Sequence, residues 1–321
     1  MNIVPNKRDP LELHRVRQEV EHLLPHLPLS SIERVEEGVS TYVYRIQSSN
    51  EVFYLRLLPE IGASFAPEVY VHQLLRAKGV NVPEVIYFEH FNEVLQQSLM
   101  LTTEIKGVHL GHCSSIEDQK AILREAGRDL ALINSIPVKH FGWINRDSSG
   151  VRQLEAEHPS YRAFIYEYLK HDLDLLGNSQ VLKGSDITAI YSILDRYDTW
   201  LDEEQAWLAH GDFDGNHIYQ RQGHYTGIID FGEIRGATSW YDLGLFRMRD
   251  GELLPELVLP YLVEGYREVL SLPSDYELHI NFSSLLTAVR MLAHVTKKYP
   301  ERAQDRQLLK SISRDIEVLL A

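Results

Sequence analysis

The stretch from Trp207 to Gly244 reads WLAHGDFDGNHIYQRQGHYTGIIDFGEIRGATSWYDLG and predicts two acidic loops joined by a β-hairpin. An apolar lead-in runs into Asp212. Gln222 and Gly223 provide the turn, since glycine readily adopts a positive φ. The return strand then delivers Asp230. With the turn at this pair, the register places Asp230 beside the loop that carries Asp212, so we expect both carboxylates to face one cleft.

Paired carboxylates of this kind suit phosphoryl transfer. The transferred group is already electrophilic, so the protein mainly positions it while metal ions neutralise charge. One carboxylate meets the attacking hydroxyl, and a second holds the metal on the phosphates. Protein kinases use H-R-D-x-x-x-x-N followed by D-F-G for these tasks. Here Asp212 takes the position of the base, and Asp230-Phe231-Gly232 reproduces the second motif.

Three motifs in this stretch resemble those of the aminoglycoside phosphotransferase family, a family of small-molecule kinases with a protein-kinase-like fold. The motifs are His210-Gly211-Asp212, Ile229-Asp230-Phe231-Gly232-Glu233 and Trp240-Tyr241-Asp242-Leu243. The resemblance implies Mg²⁺-dependent transfer from ATP or GTP to a hydroxyl of a small molecule. It assigns Asp242 a structural hydrogen-bonding role and His210 a role in bracing the loop.

The resemblance also implies an α+β, two-lobed protein-kinase-like fold. An antiparallel-sheet N-lobe over residues 1–105 would bind the nucleotide. A mainly helical C-lobe over residues 106–321 would carry the catalytic loop and the acceptor pocket. The helical pattern of the second half agrees with this division. The helices are predicted over residues 115–136, 159–175, 185–201, 252–270, 275–298 and 301–320, with a long connection around Phe141-Gly142-Trp143.

Two residues are candidates for the second metal ligand beside Asp230. The family usually has Asn five residues after the catalytic Asp, but this chain has His217 there and Asn216 one residue earlier. Imidazole is a less usual Mg²⁺ ligand than an amide or carboxylate oxygen. Counting residues back from the strand that follows places His217 at the metal-binding position. Asn216 could instead be a residue of a tight bend.

The N-terminal half predicts a phosphate-binding loop between two strands. Gly38, Ser40 and Thr41 lie in this loop, whose backbone N–H groups could cover the phosphates. Arg56 falls where a kinase carries the lysine of its third strand, and a guanidinium can bind phosphate bidentately. We expect Glu68, near the start of a predicted helix from Pro67 to Lys78, to pair with Arg56.

The resemblance places the hinge between the lobes directly after the last predicted strand of the sheet. Backbone groups of Thr103, Glu104 and Ile105 would meet the adenine there. Lys106-Gly107 ends the strand pattern at this point.

Composition limits the class of protein. The 321 residues carry a formal net charge of −14, which argues against a nucleic-acid-binding protein and is compatible with a cationic acceptor. Cys113 is the only cysteine, so no intramolecular disulfide can form. The N-terminus lacks the apolar region of a signal peptide, and no apolar run is long enough to span a bilayer. We therefore expect a cytoplasmic protein with no membrane partner.

The acceptor and the competing functions stay open at this stage. An aminoglycoside, and hence antibiotic resistance, is the first candidate, and a metabolic sugar, homoserine or choline kinase is nearly as well supported. Acidic residues such as Asp250, Glu252 and Glu264 could meet an amine-bearing acceptor or form a solvated face. Arg56 and the Asn216-His217 pair would also fit a pseudokinase scaffold, although both catalytic carboxylates are retained. Metal-dependent hydrolysis leaves the predicted nucleotide loop without a role. The oligomeric state is not predicted.

Overall fold

The computed structural model describes residues 10–26, 28–36, 41–49, 51–147, 150, 153–254, 256–302 and 305–321. The chain divides into two compact units. Unit 1 comprises Met1–Lys106, Asn145–Leu154 and Gly227–Gly232, and unit 2 comprises Gly107–Ile144, Glu155–Thr226 and Glu233–Ala321. Two short segments from the later part of the chain therefore belong to unit 1. The predicted single division after residue 105 places both segments in the C-lobe.

Unit 1 contains a five-stranded antiparallel sheet. Its strands are β1 (Ser31–Val35), β2 (Tyr42–Ser48), β3 (Glu51–Leu57), β4 (Val85–Asn92) and β5 (Gln97–Thr103), and they lie in the order β1-β2-β3-β5-β4. Side chains of β3 alternate, so that Phe53, Leu55 and Leu57 are buried on one face. Arg56 consequently points to the opposite face, where Met100 is its cross-strand neighbour.

Two helices cover the two faces of this sheet. Helix α1 (Leu13–Leu23) contributes Val16 and Val20 to the core formed by the apolar face of β3. Helix α2 (Ala66–Ala77) contributes Val69, which packs with Met100 on the face that carries Arg56. The helix predicted from Pro67 to Lys78 is confirmed as α2.

Unit 2 is mainly helical. Its helices are α3 (Ile116–Ile133), α4 (Tyr161–Asn178), α5 (Gly184–Arg196), α6 (Tyr241–Arg249), α7 (Leu259–Arg267), α8 (Tyr276–Lys298) and α9 (Arg306–Leu320). The predicted start of α3 is confirmed, because the Ser115 hydroxyl accepts a hydrogen bond from the Asp118 N–H at 3.2 Å. The two-lobed α+β fold class is likewise confirmed.

Short strands form two further sheets. One has the order β7-β10-β13-β8-β9, and the other has the order β12-β11-β6. The strands are β6 (Val108–His109), β7 (Pro137–Val138), β8 (Phe141–Ile144), β9 (Ala156–His158), β10 (Ala206–Ala209), β11 (Ile218–Arg221), β12 (His224–Ile228) and β13 (Arg235–Ala237). The predicted turn at Gln222 and Gly223 joins β11 to β12. Both residues have positive φ, 53° and 81°, as a two-residue type I′ turn requires.

Two elements differ from the sequence prediction, and one is new. The sequence predicts a connection at Phe141-Gly142-Trp143, but these residues belong to β8, which pairs with β13 and β9. The helix predicted from residue 252 begins at Leu259, because residues 251–254 form turns and bends. Helix α6 has no counterpart in the prediction. In the part of the chain that is described, no helix combines the length and apolarity needed to cross a bilayer.

Candidate active site

A buried carboxylate holds the loop that ends at Asp212. Asp242, at the start of α6, is fully buried and accepts hydrogen bonds from the backbone N–H groups of His210 and Gly211, both at 2.9 Å. The Asn134 side-chain amide donates a third bond to Asp242 at 2.9 Å. Three donors fix this carboxylate, and through it the loop backbone. Asp242 therefore has the structural role that the sequence predicts.

Gly211 lets the loop approach a neighbouring backbone. Its φ is +88°, and a Cβ atom at this position would lie 1.8 Å from the Glu233 carbonyl oxygen. A side chain at this position would clash with the backbone, and the left-handed φ would strain it as well. The glycine of the His-Gly-Asp motif is thus required by geometry.

The loop presents the Asp212 carboxylate with partial exposure. Its side chain is 34% exposed. His217 Nε2 and Arg249 Nη2 approach its two oxygens, each at 4.0 Å, which is beyond hydrogen-bond reach. An acceptor hydroxyl could therefore reach this carboxylate without first displacing either side chain.

His217 lies beside Asp212 with a defined ring orientation. Its Nδ1 lies 2.6 Å from the Asp212 backbone oxygen. A carbonyl can only accept, so Nδ1 carries the proton and Nε2 carries the lone pair of the neutral ring. Metal-binding histidines usually have this arrangement. Ligand atoms of Asp212, Asp214 and His217 all lie within 4.8 Å of one another, a donor set that fits a divalent cation.

Asn216 lies in the same loop, and its described hydrogen bonds go to Asp214. Its backbone N–H donates to Asp214 Oδ1 at 2.7 Å and its side-chain amide donates to Asp214 Oδ2 at 3.4 Å, the pattern of an Asx-turn. The nearly buried Asp214 also meets Arg249 Nη1 at 3.4 Å. Sequence reasoning missed Asp214 and Arg249. Asp214-Gly215-Asn216 predicts only a turn, and Arg249 belongs to no motif.

In unit 1 the structure brings together the predicted pair of Arg56 and Glu68. Arg56 Nη1 donates to Glu68 Oε2 at 2.6 Å, and the two side chains are 11% and 1% exposed. The guanidinium also lies over the Phe65 ring, 5.3 Å from its centroid. Its Nη2 is 3.6 Å from Asp230 Oδ1, so the same arginine lies beside both Glu68 and Asp230.

Asp230 adopts an unusual backbone conformation. Its φ is +66°, a region that few residues other than glycine occupy. The Gly232 N–H donates to Asp230 Oδ1 at 3.3 Å, and the buried Phe231 ring packs edge-on against His72. Such backbone strain often occurs at functional sites. The predicted cleft shared by Asp230 and Asp212 concerns residues of both units and stays a prediction.

Arg146 is the residue of unit 1 that sequence reasoning missed. Its Nη2 donates to Glu68 Oε1 at 2.7 Å and to the Gly232 carbonyl at 2.6 Å. Its own carbonyl accepts the Ser64 N–H at 2.7 Å. Arg146 lies between β8 and β9, outside every motif, so only the folded structure reveals these contacts.

Comparisons with known proteins identify the family and the fold of this chain. The model of the phosphotransferase enzyme family matches residues 31–277. An aminoglycoside 3'-phosphotransferase of Enterococcus faecalis is 25% identical over 249 residues, which cover 75% of this chain and 87% of that protein. The crystal structure of aminoglycoside phosphotransferase APH(4)-Ia is 15% identical, with a TM-score of 0.67 and coverage of 95% of this chain and 99% of the other. A GDP and kanamycin complex of APH(2″)-IIIa has a TM-score of 0.62 at 16% identity, with coverage of 96% and 97%.

The chain belongs to the phosphotransferase enzyme family. Members phosphorylate hydroxyl groups of small molecules, so this protein is a small-molecule phosphotransferase. The two solved structures, both below 20% identity, add that the fold is shared.

The residues that this phosphotransferase would use toward the nucleotide are only partly described. Thr41 is buried directly before β2. Gly38 and Ser40, the other predicted residues of the phosphate loop, lie outside the described residues. At the predicted hinge, the Thr103 N–H donates to the Glu84 carbonyl at 2.9 Å. That amide is therefore engaged within the protein.

Glu104 and Ile105 follow directly after the end of β5 in irregular structure. Their contacts with adenine stay predictions, as does that of Thr103.

Two acidic residues considered for the acceptor have structural partners in this phosphotransferase. Asp250 is buried, and its carboxylate accepts the N–H groups of Val258 and Leu259 at 2.9 and 3.1 Å, which caps the start of α7. Glu264 accepts a hydrogen bond from Arg124 at 2.6 Å. These hydrogen bonds give both carboxylates a structural role in the fold.

Proposed function

We propose that this phosphotransferase transfers the γ-phosphoryl group of ATP or GTP to a hydroxyl of an aminoglycoside. The observation that carries the proposal is the Asp212 loop, whose backbone is fixed by buried Asp242 while its terminal carboxylate stays partly exposed. A rigid loop with an accessible carboxylate is what a positioned general base requires.

Asp212 acts as the base. It orients the acceptor hydroxyl and accepts its proton as the oxygen attacks the γ-phosphorus, while the bond from that phosphorus to the β-phosphate oxygen breaks and ADP or GDP leaves. No covalent enzyme intermediate is needed, because in this reaction class the protein mainly positions the reactants. The Arg249 guanidinium, 4.0 Å away, attracts the negative charge of this carboxylate without occupying it.

Asp230 and His217 are the residues that would hold Mg²⁺, which when bound would neutralise charge on the phosphates. His217 is preferred over Asn216 for this role for two reasons. The Nδ1 contact of His217 leaves Nε2 as the lone-pair nitrogen within the Asp212–Asp214–His217 donor set, and the hydrogen bonds of Asn216 to Asp214 give Asn216 a role in the turn. Asp214, which lies in the same donor set, is a further candidate ligand.

Arg56 binds the α- and β-phosphates and takes the place of the usual lysine. Its guanidinium keeps a permanent charge and two parallel donors for phosphate oxygens. Glu68 fixes its orientation through the 2.6 Å hydrogen bond. Thr41, with Gly38 and Ser40, covers the phosphates, and the Thr103–Ile105 segment meets the base.

An aminoglycoside is the preferred acceptor because the Enterococcus faecalis relative is named for that class and a solved neighbour holds kanamycin. Aminoglycosides are polycations, and the formal net charge of −14 favours their approach. Glu252 provides a carboxylate 3.8 Å from Arg249, in the vicinity of Asp212.

A nucleotide-binding assay followed by an acceptor screen tests this proposal. We expect ATP or GTP to raise the melting temperature only when Mg²⁺ is present, and kanamycin-type compounds to be phosphorylated in preference to sugars, homoserine and choline. Phosphorylation of one of the metabolic compounds instead would overturn the acceptor assignment. Nucleotide binding without any transfer would indicate a pseudokinase, and phosphate release that needs no nucleotide would indicate a hydrolase.

A further inference from the structure

Two arginines of unit 1 share one buried glutamate. Glu68 is 1% exposed, and its two carboxylate oxygens are divided between two donors. Oε2 accepts from Arg56 at 2.6 Å, and Oε1 accepts from Arg146 at 2.7 Å. The usual arrangement in this reaction class is one cation paired with one glutamate.

The second arginine changes the charge of the cluster. A single arginine paired with Glu68 would form a neutral pair, which attracts phosphate weakly. Asp230 Oδ1 also lies 3.6 Å from Arg56 Nη2, so Arg56 alone would face two carboxylates, and the positive charge of Arg146 offsets the second one. Because the Glu68 side chain is almost fully buried, water screens these charges poorly.

Arg146 also links Glu68 to the Asp-Phe-Gly segment. Its Nη2 donates to the Gly232 carbonyl at 2.6 Å, two residues after Asp230. The Arg146 carbonyl accepts the Ser64 N–H at 2.7 Å, directly before α2. One residue is therefore tied both to the helix that carries Glu68 and to the segment that carries Asp230.

We propose that Arg146 is a positioning residue of the nucleotide site. By holding Glu68 and Gly232, it keeps Arg56 and Asp230 in place, and its charge offsets one of the two carboxylates that face Arg56. This inference rests on the nucleotide-binding role proposed above for Arg56 and Asp230. Arg146 acts through Glu68 and has no assigned contact with the substrate.

Arg76 offers a matched control within the same unit. It also donates to one carboxylate and one carbonyl, namely Glu84 at 3.1 Å and Val82 at 3.2 Å. Its side chain is 45% exposed, so this pair is solvent-screened. Arg76→Gln removes the same kind of contacts without touching Glu68.

The test measures the affinity for ATP and GTP, with Mg²⁺, by calorimetry on the full chain, together with KM for nucleotide and acceptor. We expect Arg146→Gln to weaken nucleotide affinity by about tenfold or more, the scale of a lost charge-assisted hydrogen bond. The acceptor KM should stay within about twofold. Arg146→Lys restores the charge but not the two-point contact, so it should recover part of the loss. Arg76→Gln should match the wild type.

A double variant separates positioning from simple packing. If both residues act through one cluster, Glu68→Gln combined with Arg146→Gln should weaken nucleotide binding by less than the product of the two single effects. Melting temperatures of all variants establish that each is folded at the assay temperature.

Wild-type nucleotide affinity in Arg146→Gln, or equal changes in nucleotide and acceptor KM, would overturn the inference. The inference would also be overturned if the double variant weakened nucleotide binding by the full product of the two single effects. A wild-type chain that binds neither ATP nor GTP would overturn the nucleotide site itself, which is a separate failure.

Discussion

At the scale of single residues, the proposed metal site depends on His217 as a ligand. An imidazole nitrogen is a weaker match for Mg²⁺ than the amide oxygen usual at this position in the family. His217→Asn should therefore lower the Mg²⁺ concentration needed for half-maximal activity, by about threefold if oxygen is the better ligand. Steady-state rates across a Mg²⁺ titration measure this. His224→Asn, an exposed histidine of the same hairpin, is the control and should change nothing. An unchanged Mg²⁺ dependence in His217→Asn would exclude His217 as a ligand.

Functional residues that belong to motifs can be predicted from the sequence more reliably than the residues that hold them in place. The Arg56–Glu68 pair follows from their positions on a strand and on the next helix, and the structure contains it at 2.6 Å. Asp214 and Arg146 could not be found in the same way. Their roles depend on which side chains the fold brings within hydrogen-bond or ion-pair distance, and neighbouring residues in sequence give no sign of this.

At the scale of elements, α3 and α7 pack closely through two glycines. A Cβ atom on Gly265 would lie 1.8 Å from the Arg124 carbonyl oxygen, and one on Gly127 would lie 2.1 Å from the Leu262 carbonyl oxygen. Gly265→Ala should separate the helices and lower the free energy of unfolding by about 1–3 kcal/mol, the usual cost of overpacking. Urea denaturation measures the loss.

Gly184 provides the control for this substitution. It begins α5, and no atom lies within 4 Å of the position that a Cβ atom would take there. Gly184→Ala should leave the free energy of unfolding unchanged or slightly higher, because alanine is the better helix former. Equal stability of Gly265→Ala and Gly184→Ala would contradict the close helix contact.

A stacked histidine makes the stability of unit 2 depend on pH. The His279 ring stacks on both Trp200 and Trp240, with centroid distances of 3.8 and 4.7 Å. Burial lowers the pKa of His279 below its usual 6.5, and the Asp275 carboxylate opposes this only in part. The unfolded chain therefore binds the proton more readily than the folded chain. Stability is fully present above pH 6.5 and declines as the pH falls below it.

His279→Phe should keep the stacking and remove the titration. We expect the melting temperature of this variant to fall less between about pH 7 and about pH 5 than that of the wild type. His14→Phe, at a histidine whose side chain is 66% exposed, serves as the control. Identical pH profiles for the wild type and His279→Phe would show that His279 does not contribute.

Elements with a clear period were predictable, and short elements were not. Strands β2 and β3 have clear alternation and α3 has apolar periodicity, and all three are present. Strand β8 has only four residues, and its pairing with β13 comes from distant sequence. Helix α6 begins within the Trp240-Tyr241-Asp242 motif, at Tyr241, and its weak amphipathicity reflects burial of most of its residues.

At the scale of the whole molecule, the net charge of −14 should assist a cationic acceptor more than an anionic nucleotide. Raising the ionic strength from about 0.05 to about 0.3 M shortens the Debye length and screens this attraction. The KM for kanamycin should therefore rise several-fold, whereas the KM for ATP should not rise in parallel. Equal salt dependence for both substrates would argue that local contacts alone govern acceptor binding.

The family and the two-lobed architecture were both predictable, because they depend on motifs and periodicity spread over most of the chain. The assignment of residues 145–154 to unit 1 was not predictable from the sequence. That segment carries no periodic pattern, and its place is set by contacts such as the Ser64 N–H with the Arg146 carbonyl.

The most direct test of the account is phosphoryl transfer by the wild type compared with Asp212→Asn. Kanamycin is incubated with ATP or GTP and Mg²⁺, and mass spectrometry detects the addition of one phosphoryl group. We expect the wild type to modify the acceptor and Asp212→Asn to be slower by about 10² to 10⁴-fold, with nucleotide affinity retained. Equal product from both proteins would contradict the role of Asp212 as the base. A wild type that phosphorylates no aminoglycoside would contradict the acceptor.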